Sequence, residues 1–114
     1  MSDVVVFAGT TEGCQVCDFL AKHKVSVLAC VATDYGSKSL KEDEYLKIHA
    51  GRLTGEEMEV LLREHSPRLV LDATHPYAAE VTANIRIACK NTGFSYERVL
   101  RENGAHQDKA VYVE

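Results

Sequence analysis

Residues 4–13 read Val4-Val5-Val6-Phe7-Ala8-Gly9-Thr10-Thr11-Glu12-Gly13. Five apolar residues run without alternation and then break into a turn of glycine and threonine. A strand buried on both faces reads this way, because neither face accepts a polar side chain. Val16, Phe19 and Leu20 follow at helical spacing, so the pattern predicts a helix over residues 12–23 that starts directly after the turn. Strand, tight turn and helix are the opening of a parallel βαβ unit.

The rest of the chain repeats that alternation. Val25 to Ala32 is a second apolar run, ending in Thr33-Asp34-Tyr35-Gly36. After a loop or short helix comes a weaker run, Leu46 to Ala50, ending in Gly51-Arg52-Leu53. Thr54 and Glu57 have the spacing of a capping box, and Met58, Leu61 and Leu62 form the apolar stripe of the helix it opens. Ser66-Pro67 ends that helix, because proline disfavours helix in the residue before it. Leu69-Val70-Leu71 leads into Asp72-Ala73-Thr74-His75-Pro76-Tyr77. Pro76 suits the first turn of a further helix, whose buried face is Ala78, Val81, Ile85, Ala88 and Cys89. Gly93 suits its left-handed C-terminal cap. A fifth run spans Ser95 to Leu100, and Ala110 to Val113 has the composition of a short last strand. Crossovers of this length imply a doubly wound, Rossmann-like α/β fold: a mainly parallel sheet of about five strands with helices on both faces. The order 3-2-1-4-5 is expected.

Composition agrees with a single folded domain over residues 1–114. Apolar residues make up 46% and charged residues 26% of the 114, which excludes a disordered tail. No apolar run reaches the roughly 18 residues of a membrane span. The start, Met1-Ser2-Asp3, lacks the basic residues of a secretory signal, so a cytoplasmic location is expected. The net charge of −4 carries no basic cluster for phosphates, so neither nucleic acid nor membrane is an expected partner. The run Lys41-Glu42-Asp43-Glu44 reads as solvated surface. Four cysteines, at 14, 17, 30 and 89, are too few for a disulfide scaffold. Cys14-Gln15-Val16-Cys17 at a helix start admits a redox pair or half a zinc site, but nothing completes the zinc set, and two thiols on a packed helix is the better account. No metal is expected.

In doubly wound sheets ligands bind beyond the carboxyl ends of the strands. The polar and glycine-rich motifs of this chain all fall there. Gly9, Thr10, Thr11, Glu12 and Gly13 offer close backbone approach and a helix N-terminus to a phosphate, though they are not the G-x-G-x-x-G fingerprint, and a plain strand-to-helix turn explains them as well. Thr33, Tyr35 and Gly36 follow the second strand, where an adenosine ribose would sit; Ala32-Thr33 with Lys38 nearby leans towards NADP, against Asp34. Arg52 either partners a phosphate or carboxylate or pairs with Glu56 or Glu57 on the surface. His75 is a candidate general acid or a helix cap, and Tyr77 either meets a ligand or packs on the sheet. A receiver domain would need an acidic cluster after the first strand, and a short-chain dehydrogenase a Tyr-x-x-x-Lys pair; neither is present.

Together the four motifs resemble the precorrin-6A reductase family, including its cobalt-precorrin-6A form. The likeness is carried by Val6 to Gly13, Val31 to Gly36, Gly51-Arg52-Leu53 and Leu71 to Ala78. It implies NADPH-dependent reduction of a corrinoid precursor in cobalamin biosynthesis. By the match, Gly9, Thr10, Thr11, Glu12 and Gly13 hold the cofactor's phosphates, with Thr33, Tyr35, Gly36, Arg52 and Thr74 as further cofactor contacts. His75, Pro76 and Tyr77 face the tetrapyrrole substrate, His75 being the catalytic candidate. Members are about twice as long, with a second domain, so the resemblance covers a cofactor-binding half. The missing half would lie in the same or another chain, and the face it leaves open would suit a homodimer. Ala8 stands where the family has a further glycine, Cys14 where it has an arginine, and Arg98 to Asn103 where it has an arginine-proline pair. The competing expectation is a nucleotide-binding or partner domain that keeps the fold without catalysis.

Overall fold

The computed structural model describes residues 2–9, 11–32, 41–75 and 78–99. The strands are β1 (Val4–Ala8), β2 (Val27–Val31), β3 (Leu46–Ala50), β4 (Leu69–Ala73) and β5 (Tyr96–Arg98). The helices are α1 (Thr11–Lys22), α2 (Gly55–His65) and α3 (Ala79–Thr92). All four strand pairings are parallel and the order is β3-β2-β1-β4-β5. The doubly wound α/β expectation and the 3-2-1-4-5 order both hold. None of the described helices is long and apolar enough to cross a membrane.

Alternation along the strands divides the core into two layers. Val4, Val6 and Ala8 point with Val27, Ala29 and Val31 towards α1, where Cys17 is buried among them. Val5 and Phe7 point with Leu28, Cys30 and Val70 to the other face, against Met58 and Leu62 of α2 and Ile85, Ala88 and Cys89 of α3. β1 is buried at every position because it lies in the middle of the sheet with helices on both sides.

Local chemistry sets the boundaries. The Thr54 hydroxyl accepts from the Glu57 N–H at 3.1 Å, and the Glu57 carboxylate accepts from the Thr54 N–H at 2.8 Å. This is the expected capping box. Gly93 adopts φ 85° and its N–H closes the last turn of α3 on the Cys89 carbonyl. Ser66, left-handed at φ 44°, does the same for α2.

Two expectations need correction. Phe19 does not face the core: it is 60% exposed and stacks on His23 with ring centroids 4.3 Å apart. Gly13 and Cys17, one turn apart, mark the inward stripe of α1, and a residue two places beyond Cys17 lies about 200° round, on the opposite side of the helix. Val81 is also exposed. It lies in the first turn of α3, at the carboxyl margin of the sheet, where the strands beneath have ended. The run at 41–44 is exposed, as expected, and its carboxylates also bond the backbone. Asp43 accepts from the N–H groups of Tyr45 and Leu46, and Glu42 from that of Ile48, at 2.8–2.9 Å. These carboxylates cover part of the open edge of β3. The turn at 33–36, Pro76 and Tyr77, Leu100 and the strand expected at 110–113 lie outside the described residues.

Candidate functional site

Parallel topology brings the ends of β1, β2, β3 and β4 to one margin of the sheet, and α1 and α3 begin there. Ala8 pairs with Ala73, so Gly9 and Thr74, the residues that follow, lie side by side. The two glycines of the first turn do different things. A Cβ on Gly13 would stand 2.9 Å from the Ala8 Cα, 3.0 Å from its Cβ and 3.1 Å from the Ala73 Cβ. Gly13 is therefore what lets the first turn of α1 rest on the ends of β1 and β4, and Ala8 and Ala73 are small for the same reason. Among the described residues, a Cβ on Gly9 would meet only the Thr74 Cα, at 3.8 Å. Gly9 is exposed, and no described residue packs closely enough to require a glycine there. Backbone approach by a ligand needs open space of this kind. The amino end of α1, with its positive dipole, faces the same margin.

Beneath Thr74 lies a polar cluster set in the apolar layer. Asp72 is fully buried. Its Oδ1 accepts from the Thr74 backbone N–H at 3.1 Å, the Thr74 hydroxyl at 2.7 Å and Arg98 Nη1 at 2.9 Å. Its Oδ2 accepts from the Tyr96 hydroxyl at 2.8 Å. Arg98 Nη1 also donates to the hydroxyls of Thr74 at 3.1 Å and Thr82 at 2.9 Å. Register explains the meeting: Asp72 pairs with Arg98 and Val70 with Tyr96 across β4 and β5, so alternation puts Asp72, Tyr96 and Arg98 on one face. Burial alone would raise the Asp72 carboxyl, but hydrogen bonds from Thr74 and Tyr96 hold it below its ordinary range. Burial and the neighbouring Asp72 carboxylate push the Tyr96 hydroxyl up.

This cluster fixes the strand-end turn. Thr74 is held by both its N–H and its hydroxyl, and Thr82 ties the turn to α3. The Thr74 hydroxyl is already engaged by Asp72, Arg98 and Thr82, so backbone is what this residue presents outward. His75 follows, exposed at the margin, its carbonyl accepting from the Ala78 N–H at 2.9 Å. Glu12, half-buried, lies in the first turn of α1, where a negative charge suits the helix dipole. Arg52 is exposed beyond β3, and among the described residues it makes no ion pair with Glu56 or Glu57. The structure thus groups Gly9, Glu12, Gly13, Thr74 and His75 around the ends of β1 and β4, and Arg52 beyond β3. Thr11 opens α1 beside them. Thr10, Thr33, Tyr35, Gly36, Pro76 and Tyr77 lie outside the described residues. The C-x-x-C pair is not an exposed redox couple, since burial pushes the Cys17 thiol up to about 12.

Residues 3–114 match the family described as Precorrin-6x reductase CbiJ/CobK. The chain belongs to this family. It is 36% identical to the cobalt-precorrin-6A reductase of Salmonella typhimurium over 87% of its own length and 37% of that protein. It is 32% identical to the cobalt-precorrin-6A reductase of Priestia megaterium over 90% of its length and 40% of that protein. A solved structure, CobK precorrin-6A reductase, superposes with a TM-score of 0.76 at 27% identity, over 94% of this chain and 42% of that one. The chain therefore spans about two fifths of the length of these precorrin-6A reductases.

The strand-end motifs do not mark the Arg98–Tyr96–Asp72 cluster. Its signal is an aspartate inside the apolar run Leu69 to Ala73. A carboxylate at a buried strand position needs cationic or hydroxyl partners, and Tyr96 and Arg98, two residues apart in the fifth run, have the spacing to supply them.

Proposed function

We propose that this chain is the cofactor-binding part of a precorrin-6A or cobalt-precorrin-6A reductase. In this reading it binds NADPH, and a ring double bond of the tetrapyrrole is reduced. The observation that carries the reading is the backbone at Gly9, open among the described residues, beside Thr74 and at the amino end of α1, in a chain whose relatives are named reductases.

The turn Gly9, Thr10, Thr11, Glu12 and Gly13 receives the phosphates through backbone N–H groups and threonine hydroxyls. A carboxylate repels phosphate, so Glu12 contributes its main chain. Thr33, Tyr35, Gly36 and Arg52 lie towards the adenosine end, where Arg52 suits a ribose phosphate. Thr74, His75, Pro76 and Tyr77 face the ring. Bound NADPH supplies a hydride. Reduction of a double bond also takes a proton, and we assign its delivery to the His75 imidazole. A second domain, in the same or another chain, closes over this margin and keeps water from the ring. The four cysteines are free, which suits the cytoplasm.

Calorimetric titration of the chain with NADPH and, separately, NADH tests the cofactor assignment. NADPH binds at least about tenfold more tightly, a difference of about 1.4 kcal/mol. Equal affinity for the two, or binding of neither, contradicts it.

A further inference from the structure

An open pocket of about 520 Å³ lies between α3 and β5, lined by Ala79, Thr82, Ala83, Arg86, Ile87 and Arg98. It holds two guanidinium groups with different supports. Arg98 is largely buried, and Nη1 carries its bonds to Asp72, Thr74 and Thr82. Its other donors, Nη2 and Nε, have no partner among the described residues. Arg86 is exposed and lies over the Tyr96 ring, 5.6 Å from the centroid. Asp72 balances one of the two charges, so the pocket keeps one positive charge and a guanidinium fork already held in place. Such a fork matches the two oxygens of a carboxylate.

We propose that this pocket is a carboxylate site, in which Arg86 and the unused edge of Arg98 hold an acidic side chain at the rim of the ring substrate. The proposal rests on the function proposed above. Position separates it from the cofactor's phosphates: β5 lies two strands from β1, roughly 10 Å across the sheet. It adjoins the reacting end all the same, because Arg98 bonds Thr74, the neighbour of His75.

The test uses uroporphyrin, a fluorescent macrocycle fringed with carboxylates, and inorganic pyrophosphate as a phosphate probe. Both are titrated into the wild-type chain and Arg86→Glu, a change at an exposed position that leaves the Asp72–Arg98 pair intact. Uroporphyrin binding weakens about tenfold or more in Arg86→Glu, the loss of one charge-assisted contact, while pyrophosphate binding does not change. Unchanged uroporphyrin affinity, no uroporphyrin binding to the wild type, or a loss confined to pyrophosphate overturns the proposal. NADPH affinity of the same two proteins is read separately. A chain that binds uroporphyrin through Arg86 but not NADPH refutes the cofactor assignment and leaves the pocket standing.

Discussion

Arg98→Ala is expected to destabilise the fold by about 3–5 kcal/mol, because it leaves the Asp72 carboxylate buried without its cation. Asp72 has no exposed surface and the Arg98 side chain is 17% exposed, so the pair is largely buried. Denaturant melts of the two proteins read the loss directly. Asp72→Asn should cost less, since an amide keeps the shape and an acceptor oxygen, and the charge it leaves unpaired, on Arg98, borders an open pocket. Its deficit also carries a pH signature. The Asp72 carboxyl is held below its ordinary value in the folded state. Its contribution is therefore fully present above the unfolded pKa of about 3.9 and is lost as pH falls through the lower folded value. The gap in stability between wild type and Asp72→Asn should narrow below about pH 4 and stay constant from there towards neutrality. A gap unchanged down to pH 2, in a chain still folded there, would show that the carboxylate's charge is not what matters.

Gly13→Val is the second large effect. Its Cβ alone would stand 2.9 Å from backbone at Ala8, a contact that requires α1 or β1 to move. Overpacking of this kind costs about 1–3 kcal/mol, and the two further methyl groups put valine at the upper end. Each kcal/mol shifts the melting temperature of a domain this size by roughly 4–8 °C. Gly9→Ala is the contrasting variant. Among the described residues its Cβ meets only the Thr74 Cα, at 3.8 Å, so the melting temperature should stay near that of the wild type. The same methyl occupies the space assigned to the cofactor, so NADPH affinity should fall. A Gly9→Ala protein that binds NADPH normally would remove the reason for a glycine at that position.

The fold was legible because strand and helix periods are local. Continuous apolar runs at Val4 to Ala8 and Val25 to Ala32 mark strands covered on both sides, and the Thr54–Glu57 box marks a helix start within four residues. What stayed hidden depends on partners far away in sequence. Phe19 fits a helical stripe by spacing, but which stripe faces the sheet follows from the contact of Gly13 with Ala8 and Ala73. Val81 fits the stripe of α3, but the sheet ends beneath its first turn. Asp72 and Arg98 lie 26 residues apart and meet only because β4 and β5 pair in one register. The candidate site was legible as motifs at strand ends. That Gly13 serves packing while Gly9 leaves open space needed the coordinates of Ala8, Ala73 and Thr74.

The margin around Gly9 and Thr74 is the proposed cofactor site. Backbone amide shifts in the ¹⁵N-labelled chain, recorded as NADPH is added, test it most directly. Saturable shifts are expected, concentrated on Gly9 to Cys14 and Ala73 to His75, with the outer faces of α2 and α3 unmoved. Shifts centred on those outer faces, or none at NADPH concentrations in the millimolar range, would contradict it.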